Sequence, residues 1–282
     1  MAPRRVGHTR GMPRTLVFSH ANGFPAGTYR VLFEQWRAAG WHVLAPEKFG
    51  HDPRYPVTGN WPHLRDELTD FIRTRTAGRP VWLVGHSLGG YLSLLAACKQ
   101  PELVRGVLMI DSPVLGGWRA HSVQVMKATR LIGRVSPGKI SQTRRNHWPS
   151  AEAALAHYAN KPAFARWDPR VLADYIAAGT EPAPQGGVQL AFRREVETRI
   201  YNTLAHHFDD LLHRHPPKCP LGFLGGTQSN EVRQVGLAPT RAVTRGRMRW
   251  MEGTHLFPME HPQATAEAVL EELTAMAAEV PE

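Results

Sequence analysis

The sequence predicts an α/β fold, a mostly parallel sheet of about six strands flanked by helices with a helical segment inserted into it. Three observations carry that expectation. Short apolar, β-branched runs alternate with helix-like stretches through the first 112 residues, which is the rhythm of βαβ units. From Ser112 to about His215 helical patterns dominate and strand-like runs vanish. After Pro216-Pro217 the strands return, and a long helix closes the chain. Residues 1–112 and 206–282 then form one α/β core, and residues 113–205 form a helical insertion set into it.

Taken in order, Thr15–Ser19 (TLVFS) reads as a buried strand and Tyr29–Ala39 as a helix that Gly40 ends. Trp41–Ala45 (WHVLA) is the next strand. Trp61–Thr76 places Leu64, Leu68, Phe71 and Ile72 on one helical face. Val81–Val84 (VWLV) is a third strand, followed at once by Gly85-His86-Ser87-Leu88-Gly89-Gly90 and the apolar helix Tyr91–Cys98. Arg105–Ile110 (RGVLMI) is the fourth. In the insertion the expected helices are His121–Ile132, Ser150–Asn160, Pro169–Ala178 and Arg193–Leu204, with breaks such as Glu181–Gly187 (EPAPQGG) between them. Leu221–Leu224 and Arg247–Met251 are the returning strands, and Pro262–Ala278 is the closing helix.

The bulk properties are those of an ordinary globular protein. The chain has 282 residues, 42% hydrophobic and 21% charged, with no internal repeat. Its apolar runs, such as Val107–Ile110, are strand-length and far too short to cross a bilayer. Arg4, Arg5 and Arg10 near the start are followed by no apolar run, so no secretory signal is read there. Cys98 and Cys219 stand far apart in apolar surroundings, as inert thiols of a cytoplasmic protein would. The net charge is +10, but the basic residues are mainly arginines spread along the chain, and their densest spot, around Arg144 and Arg145, is short. Scattered solvated arginines are expected, with no nucleic-acid or membrane partner and a monomeric or homodimeric state.

Gly85-His86-Ser87-Leu88-Gly89 fits G-x-S-x-G between a strand and an apolar helix. That context puts a serine on a tight strand-to-helix turn with its hydroxyl projecting. Flanking glycines remove the Cβ atoms that would clash there. On these residues the chain resembles the α/β-hydrolase superfamily, across both core segments, and the inserted helices resemble the family's cap. The first 14 residues leave little room for the two leading strands of the full family sheet, hence the expectation of about six.

The resemblance implies a serine hydrolase. Gly253-Thr254-His255, followed by Pro258 and Glu260, lies after the last strand and resembles the context of the family's histidine, making His255 the base for Ser87. The acid is open. Ser229 stands where the family's Asp is expected, in Gly226-Thr227-Gln228-Ser229. Asp111, at the end of the fourth strand, is favoured, with Glu231 as the alternative. His20-Ala21-Asn22-Gly23-Phe24-Pro25 resembles the family's oxyanion loop, so the amides would be those of Leu88 and either Asn22 or Phe24. The expected reaction is cleavage of a carboxylic ester or related small-molecule acyl substrate through an acyl-enzyme. Thioester hydrolysis and C–C cleavage of a diketone use the same site, and a non-enzymatic receptor is the more remote alternative. Epoxide hydrolases and haloalkane dehalogenases are disfavoured, since those relatives carry Asp where this chain has Ser87. No cofactor or metal is implied. The cluster His206, His207, His213 and His215 lacks the Cys or acidic spacing of a metal site and reads as linker, with His206 or His207 facing substrate. The aromatic residues of the insertion read mainly as packing, with one or two lining an acyl pocket, and Arg144 and Arg145 read as solvated, with contact to an anionic substrate group as the alternative.

Overall fold

The computed structural model describes residues 14–116 and 138–280. The expected helix His121–Ile132 lies outside the described residues. The core begins with β1 (Thr15–Ser19), α1 (Arg30–Ala38), β2 (His42–Leu44), α2 (Pro62–Thr76), β3 (Val81–His86), α3 (Leu88–Lys99) and β4 (Val104–Ile110). The insertion follows with α4 (Gly138–Thr143), β5 (His147–Trp148), α5 (Ala151–Ala159), α6 (Pro169–Gly179), β6 (Thr180–Pro182), β7 (Val188–Leu190) and α7 (Arg194–Asn202). The chain returns to the core through α8 (Phe208–Arg214), β8 (Leu221–Gly226), α9 (Asn230–Val235), α10 (Ala238–Val243), β9 (Met248–Met251), α11 (Phe257–Glu260) and α12 (Pro262–Ala277).

The core strands form one six-stranded sheet in the order β2-β1-β3-β4-β8-β9, with every neighbouring pair parallel. Strand alternation explains why these runs are apolar throughout. Leu16, Phe18, Val84, Leu108 and Ile110 face α1 and α12, packing with Leu32, Trp36, Val269 and Leu273. Their neighbours Val17, Leu83, Val107 and Met109 face α2 and α3, packing with Leu64, Leu68, Ile72, Leu92 and Leu95. A sheet covered on both faces needs both sets apolar, so each strand reads as continuous.

Between β4 and β8 the sequence expectation needs correction. The insertion is not purely helical, because β5, β7 and β6 form a three-stranded antiparallel sheet in that order. The stretch expected as a break between helices, Glu181–Gly187, contains the turn of the β6–β7 hairpin. Gly186 (φ 89°) and Gly187 (φ 72°) supply its left-handed backbone. A Cβ on Gly187 would also lie 2.2 Å from the Trp148 carbonyl oxygen. Strands this short carry no period-two signal, which is why the pattern missed them. The insertion rests on the core through the rings of Trp167 and Tyr175 against Phe24, and through the Asp168 N–H, which donates to the Met259 carbonyl at 2.9 Å. Among the described residues no helix is long and apolar enough to cross a membrane.

Candidate active site

β3 ends at His86 and α3 starts at Leu88, three residues before the expected Tyr91. Ser87 alone makes the turn, at φ 52° and ψ −115°, a strained conformation for a residue with a Cβ. The glycines answer to close approach. A Cβ on Gly85 would lie 2.2 Å from Gly89 backbone atoms, and one on Gly89 would lie 1.9 Å from the Ser19 carbonyl oxygen. β4 clamps the turn from the other side. The Ser87 N–H donates to the Ile110 carbonyl at 2.9 Å, and the Ser112 hydroxyl donates to the Ser87 carbonyl at 2.8 Å.

Asp111 follows β4 directly and is buried. Its Oδ1 accepts from the Gly226 N–H at 2.7 Å, and its Oδ2 accepts from the Ser229 hydroxyl at 2.6 Å. Oδ2 also accepts from the His255 ring at Nδ1, 2.6 Å away. Burial alone would raise the Asp111 pKa, but these donors outweigh it and hold the carboxyl below its usual value. For His255, burial disfavours the cation, yet the Asp111 hydrogen bond and the nearby carboxylates leave the pKa raised. Glu231, the alternative acid, is 49% exposed, with Oε2 3.9 Å from His255 Nδ1. So Ser229, which stands where an Asp was expected, donates to the Asp111 carboxylate that follows β4. Asp111, Glu231 and His255 are also the described cluster of metal-ligand type, with ligand atoms within 4.8 Å. Three hydrogen bonds to the Asp111 oxygens fit the anchoring of an imidazole better than an open ligand set.

Three side chains to which the sequence reading gave no role of their own hold the loops. His86 is the variable position of the G-x-S-x-G pattern. Its Nε2 lies 2.9 Å from the His255 carbonyl, which can only accept, so Nε2 carries the proton. Its Nδ1 then accepts from the Tyr29 hydroxyl at 2.8 Å, and the Tyr29 oxygen accepts from the Ala21 N–H at 3.2 Å. Burial pushes the His86 pKa down to about 3, so the ring bridges as a neutral group. Glu260 accepts from the Thr254 hydroxyl at 2.6 Å and the Thr254 N–H at 3.0 Å, fixing the turn that presents His255.

The loop after β1 separates Asn22 from Phe24. The Phe24 N–H is engaged, donating to the Ala21 carbonyl at 3.1 Å. His20 also bonds that carbonyl, from Nδ1 at 2.8 Å, while its Nε2 accepts from the Phe49 N–H at 3.0 Å. In a trans peptide the N–H points opposite the C=O, so anchoring the Ala21 carbonyl turns the Asn22 N–H the other way.

A cavity of about 560 Å³ brings Ser87 and His255 together with Ala21, Asn22, Phe24 and Tyr201, and with Pro162, Ala163 and Arg166 of the insertion. His206 and His207 do not line it; they precede α8, where the His206 N–H donates to Asn60 Oδ1. A larger groove, about 1100 Å³, lies around Pro80, Val104 and Leu221. Those residues mark the opposite ends of the strands, away from Ser87 and His255. The expectation that Arg144 and Arg145 are both solvated also needs correction. Arg145 is exposed, but the Arg144 side chain is only 16% exposed, beside Glu197.

Comparison with known proteins bears on the family and the fold. Residues 16–268 match the alpha/beta hydrolase family. The chain is 31% identical to the monoglyceride lipase of Mus musculus over 134 residues, 45% of this chain and 44% of that protein. It is 27% identical to a type I acyl-CoA thioesterase of Penicillium roqueforti over 184 residues, 60% of this chain and 40% of that one. These matches span less than half the length of either curated relative. Among solved structures, the thioesterase domain from the curacin biosynthetic pathway superposes with a TM-score of 0.72 at 18% identity, over 92% of each chain. With the family match running through both core segments and the insertion between them, the chain belongs to the alpha/beta hydrolase family.

Proposed function

We propose that the protein is a serine hydrolase that cleaves a carboxylic ester, or a closely related acyl substrate, through Ser87, His255 and Asp111. The observation that carries this reading is the 2.6 Å contact between His255 and the buried carboxylate of Asp111, beside a cavity that Ser87 also lines. With Nδ1–H donated to Asp111, the neutral imidazole keeps a lone pair on Nε2. That atom takes the Ser87 proton as the oxygen attacks the acyl carbon, and Asp111 stabilises the imidazolium that forms. The oxyanion is held by the N–H groups of Leu88, at the start of α3, and of Asn22. His255 returns its proton to the leaving group, and water then releases the acyl-enzyme by the reverse assignment of roles. Residues 113–205 act as a cap, since Pro162, Ala163, Arg166 and Tyr201 contribute to the cavity wall.

Thioester hydrolysis is the second reading, favoured by the thioesterases among the relatives. A fluorophosphonate probe tests the shared chemistry, and the expected result is one adduct, on Ser87. An adduct elsewhere, or none on the folded protein, refutes the proposal. Rates on matched p-nitrophenyl esters and acyl-CoAs then separate ester from thioester cleavage.

A further inference from the structure

The insertion holds a charged group that acyl transfer leaves unused. Arg144 follows α4, and its backbone is fixed by α7: the Arg194 guanidinium donates from Nη1 to the Arg144 carbonyl at 2.9 Å. Its Nη2 lies 2.8 Å from Glu197 Oε2, yet neither Nε nor Nη2 makes a hydrogen bond among the described residues. The two charges touch without the paired, in-plane alignment a guanidinium and a carboxylate normally adopt. Phenol rings surround the pair. Tyr158, Tyr175 and Tyr201 all lie within electrostatic reach of Arg144. Tyr175 is 1% exposed, and its hydroxyl faces that of Tyr158. Native proteins rarely bury donors unmatched, and such a cluster calls for an acceptor.

The cluster adjoins the reacting centre. Asn22 donates from Nδ2 to the Glu197 carbonyl at 3.1 Å. A Cβ on Gly23 would lie 2.8 Å from Glu197 Oε1, so this carboxylate stands directly behind the loop that holds the oxyanion. Tyr201, one helical turn beyond Glu197 on α7, lines the same cavity as Ser87 and also feels Glu197 and Arg144. Tyr201 is thus common to the cavity at Ser87 and to the surroundings of Arg144.

We propose that Arg144, framed by Tyr158, Tyr175 and Tyr201, binds a carboxylate carried by the substrate, so that the enzyme prefers esters or thioesters with a second, anionic end over neutral ones. The inference rests on the acyl-transfer reading of Ser87. A carboxylate matches the guanidinium fork in shape and charge, and phenol hydroxyls can donate to it as well. Glu197 can give way to the newcomer. The charged and titratable groups facing it are Arg144, Tyr158 and Tyr201, and burial pushes its pKa up to about 7 against the pull of Arg144. It can therefore take a proton when a second anion arrives.

The test compares kcat/KM for three aryl esters of similar size, two of p-nitrophenol and one of 4-hydroxybenzoate. These are the neutral butyrate ester, the hemiglutarate ester (carboxylate on the acyl half) and 4-acetoxybenzoate (carboxylate on the leaving half). One charged ester is expected to exceed the butyrate by about tenfold or more, chiefly through KM, and the one that does so identifies the half recognised. The charged-to-neutral ratio is expected to collapse in Arg144→Met, with Arg144→Lys retaining part of it because an ammonium cannot grip both oxygens. Arg144→Met with Glu197→Gln leaves no stranded charge, and the ratio is read there if the single variant does not fold. In the unaltered protein, glutarate is expected to compete with the butyrate ester, and glutaramide is not. Equal kcat/KM for charged and neutral esters, a preference that survives Arg144→Met, or equal inhibition by glutarate and glutaramide overturns the proposal. Butyrate turnover with labelling of Ser87 tests the acyl-transfer reading separately, so loss of the charge preference alone leaves that reading standing.

Discussion

Asp111 holds a left-handed backbone, at φ 46°, and a buried carboxylate at one position. Asp and Asn tolerate that backbone alike, so Asp111→Asn removes the charge without forcing the turn. We expect kcat to fall by roughly two to four orders of magnitude, because an amide cannot hold the imidazole in its working tautomer. Glu231→Gln should cost less than about tenfold, or about 1.4 kcal/mol of barrier, since Glu231 is half exposed and more distant from the ring. If Glu231→Gln is the crippled variant, the acid is misassigned. The pH profile follows from the same contact. His255 must be neutral to accept a proton, and its pKa lies above the usual 6.5. Activity should therefore be lost as pH falls through that raised value, and an inflection in kcat/KM below 6.5 would contradict the environment described. Tyr29 offers a test that touches no reacting atom. Tyr29→Phe strips the proton donor from His86 and the acceptor from the Ala21 N–H, each buried. A stability loss of about 1–3 kcal/mol is expected, with a fall in kcat as the His255 loop loosens. Denaturant midpoints unchanged from the unaltered protein would show that the bridge is idle.

Elements were legible where burial on both faces imposed apolar runs, and less so where turns are short. β1 begins and ends at the residues that the TLVFS run marks, because Leu16, Val17 and Phe18 all have a packed face to fill. The β6–β7 hairpin was missed because three-residue strands carry almost no periodicity. That Ser87, His255 and Asp111 would be brought near one another was legible from motif and chain order. The choice between Asp111 and Glu231 was not fixed by spacing, since it depends on how β4 and β8 lie side by side. Neither was the His86–Tyr29 bridge, whose partners are 57 residues apart. The elbow itself yields the sharpest prediction at this scale. The Cβ of Gly89→Ala would have to sit 1.9 Å from the backbone oxygen of Ser19. Since β1 and α3 must both move to relieve that clash, we expect a destabilisation above about 4 kcal/mol or no folding at all. A cooperative melt near that of the unaltered protein would show that the close approach is not needed.

On the scale of the molecule, the hydrogen bonding of the sheet bypasses the segment inserted into it. β4 pairs directly with β8, in register from Val107 with Leu221 to Ile110 with Leu224, although the insertion separates them in sequence. The chain also leaves and re-enters the core at one place. Val114 and Leu115 are buried with Phe208 in the cluster beneath α3, and a Cβ on Gly116 would lie 2.6 Å from Asp209 Oδ1. Replacing residues 117–207 by a short Gly-Ser linker therefore closes a small gap, and loop closure of that size is inexpensive. What the excision removes is cover. Phe24 loses Trp167 and Tyr175, and the Met259 carbonyl loses the Asp168 N–H. We expect the excised protein to keep a cooperative thermal transition at a lower midpoint and to bind a hydrophobic dye at the uncovered face. Ser87 should still take the fluorophosphonate, since Asp111, His255, His86 and the β1 loop all belong to the core. The charge preference should vanish with Arg144. Failure to fold would mean that core and insertion form a single cooperative unit, and a retained charge preference would place the selectivity in the core rather than in the cap.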